Sequence, residues 1–339
     1  MTIDLRSDTV TKPGKEMLEA MFSAEVGDDV FGEDPTVNKL EQKCAALFGM
    51  EAGLFCSSGT QTNQVAIKLH TQPGDEVICD ANSHIYYYEG GGIAFNSGCS
   101  TKLLNGERGK FSADMVVNAI REDNVHFPRT SLVAVENTHN RGGGSIYDFN
   151  EIEKIAAVCK KNKLSFHLDG ARIFNAIIET NATAADFGKV FDTISVCLSK
   201  GLGSPVGSVL LGTQEHIYKA RRIRKLFGGG MRQAGYLAAA GIYALDNNIN
   251  RLNEDHARAR ILTAILKSLP YVVEVMEPET NIIYFRISDN FPGADFQKRL
   301  ADNAIRVISL DNQVIRMVTH LDFTDEMIGR VEEVLKNLN

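Results

Sequence analysis

The sequence predicts an α/β fold, a mainly parallel sheet with helices on both faces, followed by a small C-terminal α+β domain. Three observations carry that prediction. Short apolar, β-branched runs recur at 76–79, 132–135, 164–168, 193–198 and 208–211, as strands buried in a parallel sheet require. Helical patterns separate them, and strand alternating with helix implies a doubly wound sheet. At 339 residues the chain is also long enough for more than one core.

Taken in order, residues 52–56 read as a strand, Ser57-Ser58-Gly59-Thr60 as a turn, and 61–70 as a helix with Val65, Ala66, Ile67 and Leu69 on its apolar side. Ser112 introduces a helix over 115–120, and Asn150 is read as the cap of a helix over 151–161. After about residue 246 the pattern changes to a long polar helix over 250–269 and short strands over 271–275, 281–287, 304–309 and 314–318. The expected organisation is an N-terminal segment (1–14) that contributes to the site, a large α/β domain (15–245) and a small α+β domain (246–339).

The charge balance, 43 acidic against 36 basic residues and a net charge of -7, argues against a nucleic-acid partner. No apolar run reaches membrane-spanning length, and the N-terminus carries Asp4, Arg6 and Asp8 where a targeting segment would be apolar. A soluble cytoplasmic protein with no membrane partner is expected. The six cysteines lack C-x-x-C spacing and read as buried free thiols. The eight histidines lack zinc-ligand spacing, so no metal site is expected. The basic segment Arg221-Arg222-Ile223-Arg224-Lys225 reads as a solvated helix face or a subunit contact.

Lys200 ends the 193–198 run and runs directly into the glycine-rich turn 201–207. A cationic side chain pinned between a buried strand and a tight loop is poorly placed for solvation, which qualifies its amine as a nucleophile. Alone, such a lysine reads as an ordinary solvated strand end. Asp169, however, ends an earlier apolar run 31 residues upstream, room for a crossover and a second parallel strand, so both side chains reach one sheet edge. An aspartate that keeps a pyridine nitrogen protonated and a lysine that forms a Schiff base are the two protein groups that pyridoxal phosphate needs. The Ser58-Gly59-Thr60 turn at a helix start suits its phosphate, although in isolation it would read as an ordinary capped turn.

Eight ordered blocks extend this. They are Asp4 to Thr11, Val26 to Gly32 with Asp34 to Val37, Ser58 to Asn63, Glu136 to Asn140, His167 to Ile173, Leu198 to Gly203, Gly228 to Gln233, and Arg316 to Leu321. Together the blocks resemble the aspartate-aminotransferase superfamily of pyridoxal phosphate enzymes, fold type I (PLP-dependent transferase-like), and within it the low-specificity L-threonine aldolase family. Phe31 stands where many relatives carry Tyr.

The resemblance implies that Lys200 anchors the cofactor, Asp169 pairs its ring nitrogen, and Ser58, Gly59, Thr60 and Ser199 hold its phosphate. It implies that His84 lies over the ring face, that Ser7 and Arg316 hold the substrate carboxylate, and that Arg172 sits by the phenolic oxygen or that same carboxylate. Arg232 would reach a neighbouring subunit's site, which implies a homodimer at minimum and, by analogy, a tetramer.

The implied reaction is retro-aldol cleavage of L-threonine or L-allo-threonine to glycine and acetaldehyde. A carboxylate fixed by an arginine decides which bond at Cα stands perpendicular to the ring and breaks. His84 and His126 are the candidate catalytic bases, with a water as the alternative. The alternative function is a PLP-dependent β-eliminating lyase or an aminotransferase acting on a small amino acid. A silent, partner-binding relative would need a broken cofactor position, and Asp169, Lys200, Thr60 and Arg316 are all present.

Overall fold

The computed structural model describes residues 2–338. Its central sheet has seven strands in the order Ala52–Cys56, Ser208–Gly212, Thr193–Cys197, Ser165–Gly170, Thr130–Glu136, Glu76–Asp80 and Ser100–Leu104. All neighbours pair in parallel except Ser208–Gly212, which runs antiparallel to both of its partners. This is the expected mainly parallel fold. The five residues of Thr193–Cys197 and the seven of Thr130–Glu136 are all buried, so these strands read as continuous apolar runs rather than alternating ones.

Successive strand residues feed opposite faces. Phe55 and Val209 join a core with Leu40, Phe48, Ile152 and Ala240 from the helices Pro35–Phe48, Phe149–Asn162 and Gly235–Asn247. Their neighbours Leu54 and Leu210 turn the other way, onto Val65 and Ala66 of the helix Gly59–His70 and Ile217 and Ala220 of Gln214–Leu226. The sheet is therefore covered on both sides, and its carboxyl edge is left for ligands.

A second sheet, antiparallel, runs Ile308–Ser309, Val314–Val318, Ile282–Ile287, Val272–Met276. It has its own core around Phe285, Phe296, Met317 and Val331. Ile3 and Leu5 belong to that core, and Ile3–Asp4 pairs in parallel with Ile305–Arg306. The N-terminal segment thus docks on the C-terminal sheet before crossing to the large one.

Several local expectations are corrected. The 149–162 helix is capped by Asp148, whose side chain accepts from the Asn150 N–H, so the cap lies two residues earlier than Asn150. The strand expected over 304–309 is broken at Val307 into two pieces that pair with different partners. The edge strand Ser100–Leu104 escapes a search for buried strands because most of it is only half-buried. The basic 221–225 segment is not simply solvated. Arg224 is buried, donating to Asp29 Oδ2 at 2.6 Å and to the Phe55 carbonyl, while Arg221 pairs with Glu41. All six cysteines are buried and free.

His167 is fully buried in Ser165–Gly170, with Nδ1 2.9 Å from Thr193 Oγ1 and Nε2 3.2 Å from Asn63 Oδ1. Burial pushes its imidazole down to about 4, against the pull of the Asp169 charge. A base whose folded value lies below its unfolded one leaves the unfolded chain holding the extra proton, so stability falls as pH drops from about 6.5 towards about 4. Urea titrations of the apoprotein at stepped pH should show His167 contributing a loss of about 1.4 kcal/mol per pH unit within that window. His167→Gln should flatten the slope by that one proton, and an unchanged slope would remove the assignment.

Candidate active site

Parallel pairing of Ser165–Gly170 with Thr193–Cys197 sets Asp169 opposite Ser195, so Lys200, three residues beyond the second strand, emerges at the same edge. The turn that follows closes on Lys200 itself: its carbonyl accepts from the Gly203 N–H at 2.8 Å and from the Thr11 hydroxyl at 3.3 Å. Gly203 and Gly207 take φ of +80° and +112°, backbone that side chains disfavour.

A cleft of about 660 Å³ opens between the two sheets, lined among others by Ser7, His84, Asn140, Arg141, Arg172, Lys200 and Arg316. Five of the sequence-derived site residues (Ser7, His84, Arg172, Lys200 and Arg316) therefore share one cavity. Asp169 lies behind it, 2 % exposed. Its Oδ2 accepts from Asn63 Nδ2 at 2.9 Å and its Oδ1 from the Ala171 N–H at 3.1 Å. One polar atom from each of His84, Glu89 and Asp169 falls within 4.8 Å of the others, which brings His84 to the aspartate.

Glu89 is an acid to which the sequence reading gave no role. Its carboxylate is buried, accepting from Asn63 Nδ2 at 2.9 Å and Gln64 Nε2 at 2.7 Å, and it lies 2.9 Å from His84 Nδ1. Since a carboxylate only accepts, His84 presents its Nδ1–H to Glu89 and leaves Nε2 free. Burial lowers the His84 pKa, but the Glu89 hydrogen bond and the charges of Asp169, Glu89 and Glu136 outweigh it and hold His84 above the ordinary histidine value. Glu136, at the end of Thr130–Glu136, also fixes backbone: Oε2 accepts from the His84 N–H at 2.7 Å and Oε1 from the Asn140 N–H at 2.8 Å.

In the same cleft, Arg172 is locked into a two-pronged pair with Asp8, Nε to Oδ2 at 2.7 Å and Nη2 to Oδ1 at 2.6 Å, and both residues are buried. Burial would raise the Asp8 pKa, yet the Arg172 charge and hydrogen bonds, helped by Lys200 and Asn281, hold it well below the usual carboxylate range. Arg316, 8 % exposed, donates from Nη1 to Asn140 Oδ1 at 3.1 Å and from Nη2 to the Arg6 carbonyl at 2.9 Å. Its Nε is buried with no hydrogen-bond partner among the described residues, and no carboxylate pairs with it, so it keeps capacity for an incoming anion.

The Ser58–Thr60 turn caps the helix Gly59–His70, the Ser58 side chain accepting from the Gln61 N–H. The first N–H groups of this twelve-residue helix have no intrahelical acceptor, which suits a phosphate. A Cβ on Gly59 would lie 4.0 Å from Cys197 Sγ, and that sulfur is 3.5 Å from Ser199 Oγ. The turn therefore stands beside Ser199 and Lys200. An amine, a buried carboxylate one strand away and a helix N-terminus beside the amine fit pyridoxal phosphate.

Two candidates do not reach this chain's own cleft. His126 is exposed on the loop that enters Thr130–Glu136 at its amino end, whereas the cleft is built from carboxyl ends. Arg232 is exposed and paired with Asp28 at 2.8 Å.

The chain matches the family model described as Beta-eliminating lyase over residues 4–290. It is 42% identical to the low specificity L-threonine aldolase of Escherichia coli (strain K12) over 330 residues, 97% of each chain. It is 41% identical to low-specificity L-threonine aldolase 1 of Arabidopsis thaliana, across 95% of this chain and 92% of the relative. Among solved structures, a Leishmania major threonine aldolase superposes with a TM-score of 0.85 over 99% of each chain at 23% identity, a likeness of fold.

Glu89→Gln removes an anion and the fixed acceptor at His84 Nδ1. The ring resonances of His84 in the apoprotein, followed by NMR against pH, should then titrate at lower pH than in the parent. Titration at the parent's pH would mean that Glu89 does not set the state of His84.

Proposed function

The chain belongs to the beta-eliminating lyase family, among the low-specificity L-threonine aldolases, and on that footing we propose which of its side chains bind, orient and move protons. It is a pyridoxal phosphate-dependent aldehyde-lyase that cleaves L-threonine and L-allo-threonine to glycine and acetaldehyde. The observation that carries the residue assignment is the shared cleft of Lys200 and Arg316, with buried Asp169 behind it.

When bound, pyridoxal phosphate supplies an electron sink at the substrate Cα. Lys200 is the amine that anchors it, and Ser58, Gly59, Thr60 and Ser199 hold its phosphate. Asp169 keeps a proton on the pyridine nitrogen, and its own geometry is held by Asn63 and the Ala171 N–H. Arg316 and Ser7 fix the substrate carboxylate. Arg316 is suited to this because its planar fork can take both oxygens and because its position is set by Asn140 and the Arg6 carbonyl. With the carboxylate fixed by Arg316 and Ser7, the substrate would present its Cα–Cβ bond to that electron sink, and that bond would be the one to break.

His84 Nε2 takes the β-hydroxyl proton as that bond breaks. Its Nδ1–H is committed to Glu89, which leaves the Nε2 lone pair as the only basic site of the neutral ring, and its raised pKa strengthens that base near neutral pH. Arg172 serves the substrate carboxylate or the cofactor's phenolic oxygen through the Nη hydrogens that Asp8 leaves over, because Nε and one Nη2 hydrogen are taken by Asp8. Exposed Arg232 and His126 suit contacts with a second copy of the chain, in keeping with a homodimer or tetramer, and a cytoplasmic location belongs to the same reading. No described helix is long and apolar enough to cross a membrane.

L-threonine incubated with the holoenzyme should give glycine and acetaldehyde in equal amounts; 2-oxobutanoate with ammonia would instead mark the eliminating chemistry that the family's description also covers. Arg316→Ala should lose about 2–3 kcal/mol of carboxylate binding, roughly 30- to 150-fold in kcat/KM, mainly through KM. The visible absorbance of the lysine-bound cofactor should survive in that variant. An unchanged KM for threonine would refute the carboxylate assignment.

A further inference from the structure

The cleft holds one cationic side chain that the assignments for the cofactor and for threonine leave without a role. Arg141, Arg172, Lys200 and Arg316 all line it, and among the described residues no carboxylate does. Arg172 is neutralised by Asp8, Lys200 is assigned to the cofactor, and the single carboxylate of threonine is assigned to Arg316. Arg141 is left over, and its position is specific.

The Arg141 guanidinium carbon lies 4.5 Å from the centre of the Tyr87 ring, and Nη1 donates to Tyr88 Oη at 3.0 Å. No carboxylate pairs with it among the described residues. Asp311 is near enough to feel its charge but forms no ion pair with it; its Oδ1 accepts instead from the Gln313 and Val314 N–H groups at 2.8 and 2.7 Å. A half-buried arginine resting on aromatic rings is partly desolvated, and its remaining N–H groups form a strong site for an anion.

Its neighbours place it relative to the substrate. Asn140, the preceding residue, accepts from Arg316, so Arg141 begins at the carboxylate grip. The Tyr88 hydroxyl that it bonds belongs to a ring 5.6 Å from the His84 ring, so one tyrosine separates its head group from the histidine assigned to the β-hydroxyl. A residue that reaches from the grip towards that histidine borders whatever the substrate carries beyond Cβ.

We propose that Arg141 receives a second carboxylate carried beyond Cβ, which makes β-hydroxy dicarboxylic amino acids, of which 3-hydroxyaspartate is the smallest, a substrate class of this site. The inference rests on the aldolase reading. In the step itself the Cα–Cβ bond breaks, the hydroxyl gives up its proton to His84 and becomes the aldehyde of glyoxylate, and Cα gains a proton to become glycine. Four carbons enter and two products of two carbons leave, with no oxidant or reductant. Arg141 touches only the distal carboxylate, so it selects substrate and takes no part in bond cleavage.

The test compares 3-hydroxyaspartate with its neutral isostere 3-hydroxyasparagine on the holoenzyme, in the parent and in Arg141→Ala, with L-threonine alongside. Both substrates are measured within one variant, so any loss of folded fraction cancels from their ratio. The parent should favour the acid by about ten-fold or more in kcat/KM, and Arg141→Ala should bring the ratio close to one. L-aspartate and L-asparagine, which lack the β-hydroxyl, give a binding readout: the parent should bind aspartate about ten-fold tighter in a calorimetric titration, and the variant should not. A parent ratio near one, or a ratio that survives the substitution, overturns the assignment. If the parent fails to cleave threonine, the aldolase reading itself falls; if threonine is cleaved without preference for the acid, only the role of Arg141 falls.

Discussion

The arrangement of the cleft depends on one buried ion pair, Asp8 with Arg172, because it ties the start of the chain to the carboxyl edge of the central sheet. Removing either charge would strand the other in a low-dielectric interior, a loss typically of about 3–5 kcal/mol. Both oxygens of Asp8 are used, and Asn281 adds a third donor at 3.3 Å. The segment around it is pinned at both ends. Ile3–Asp4 pairs with Ile305–Arg306, while the Thr11 hydroxyl bonds the carbonyls of Asp8 and Lys200. Ser7 and the Arg6 carbonyl, which receives Arg316, therefore sit where the pair puts them. Asn140 extends the same control, since its side-chain oxygen is 3.1 Å from Arg316 Nη1 and 3.5 Å from Arg172 Nη1.

Across the cleft, the acid–base side is organised by neutral groups placed between charged ones. Asn63 reaches Asp169 and Glu89 with its amide nitrogen, each at 2.9 Å. The amide could be turned the wrong way, presenting its oxygen to two carboxylates. Neutral His167 prevents this by donating from Nε2 to the Asn63 oxygen while Nδ1 accepts from Thr193. The low pKa of His167 and the raised one of His84 are thus parts of a single arrangement. Two carboxylates stay close together because an amide, a histidine and the glutamine Gln64 share their charge.

The parts of this site that were legible in the sequence share a common cause. Asp169 closes an apolar strand, and Lys200 and the Ser58–Thr60 turn come within a few residues of the end of one, so strand pattern alone carries them to the carboxyl edge. Asp8, Asn63 and Asn140 were not assigned roles because each acts on a residue far from it in sequence: Asp8 meets Arg172 across 164 positions, Asn63 meets Asp169 across 106 and Asn140 meets Arg316 across 176. Glu89 was given none, although it is only five positions from His84, because it sits in a loop whose burial the sequence does not show. Their only local signal was a polar residue at a position the fold buries, which is invisible until burial is known. The same blindness made the 221–225 segment look solvated when Arg224 is enclosed with Asp29. His126 drew attention as a loop histidine and through the family resemblance, although the apolar run at 132–135 already put its loop ahead of a strand, at the amino end.

The central claim is that the Asp8–Arg172 pair, rather than either residue alone, holds the N-terminal segment against the sheet edge. A double-mutant cycle on the apoprotein tests it most directly, with Asp8→Asn, Arg172→Gln and both together compared by urea unfolding. The pair should show a coupling energy of about 2 kcal/mol or more, the double variant losing little beyond either single one. Costs that simply add, to within about 0.5 kcal/mol, would contradict it.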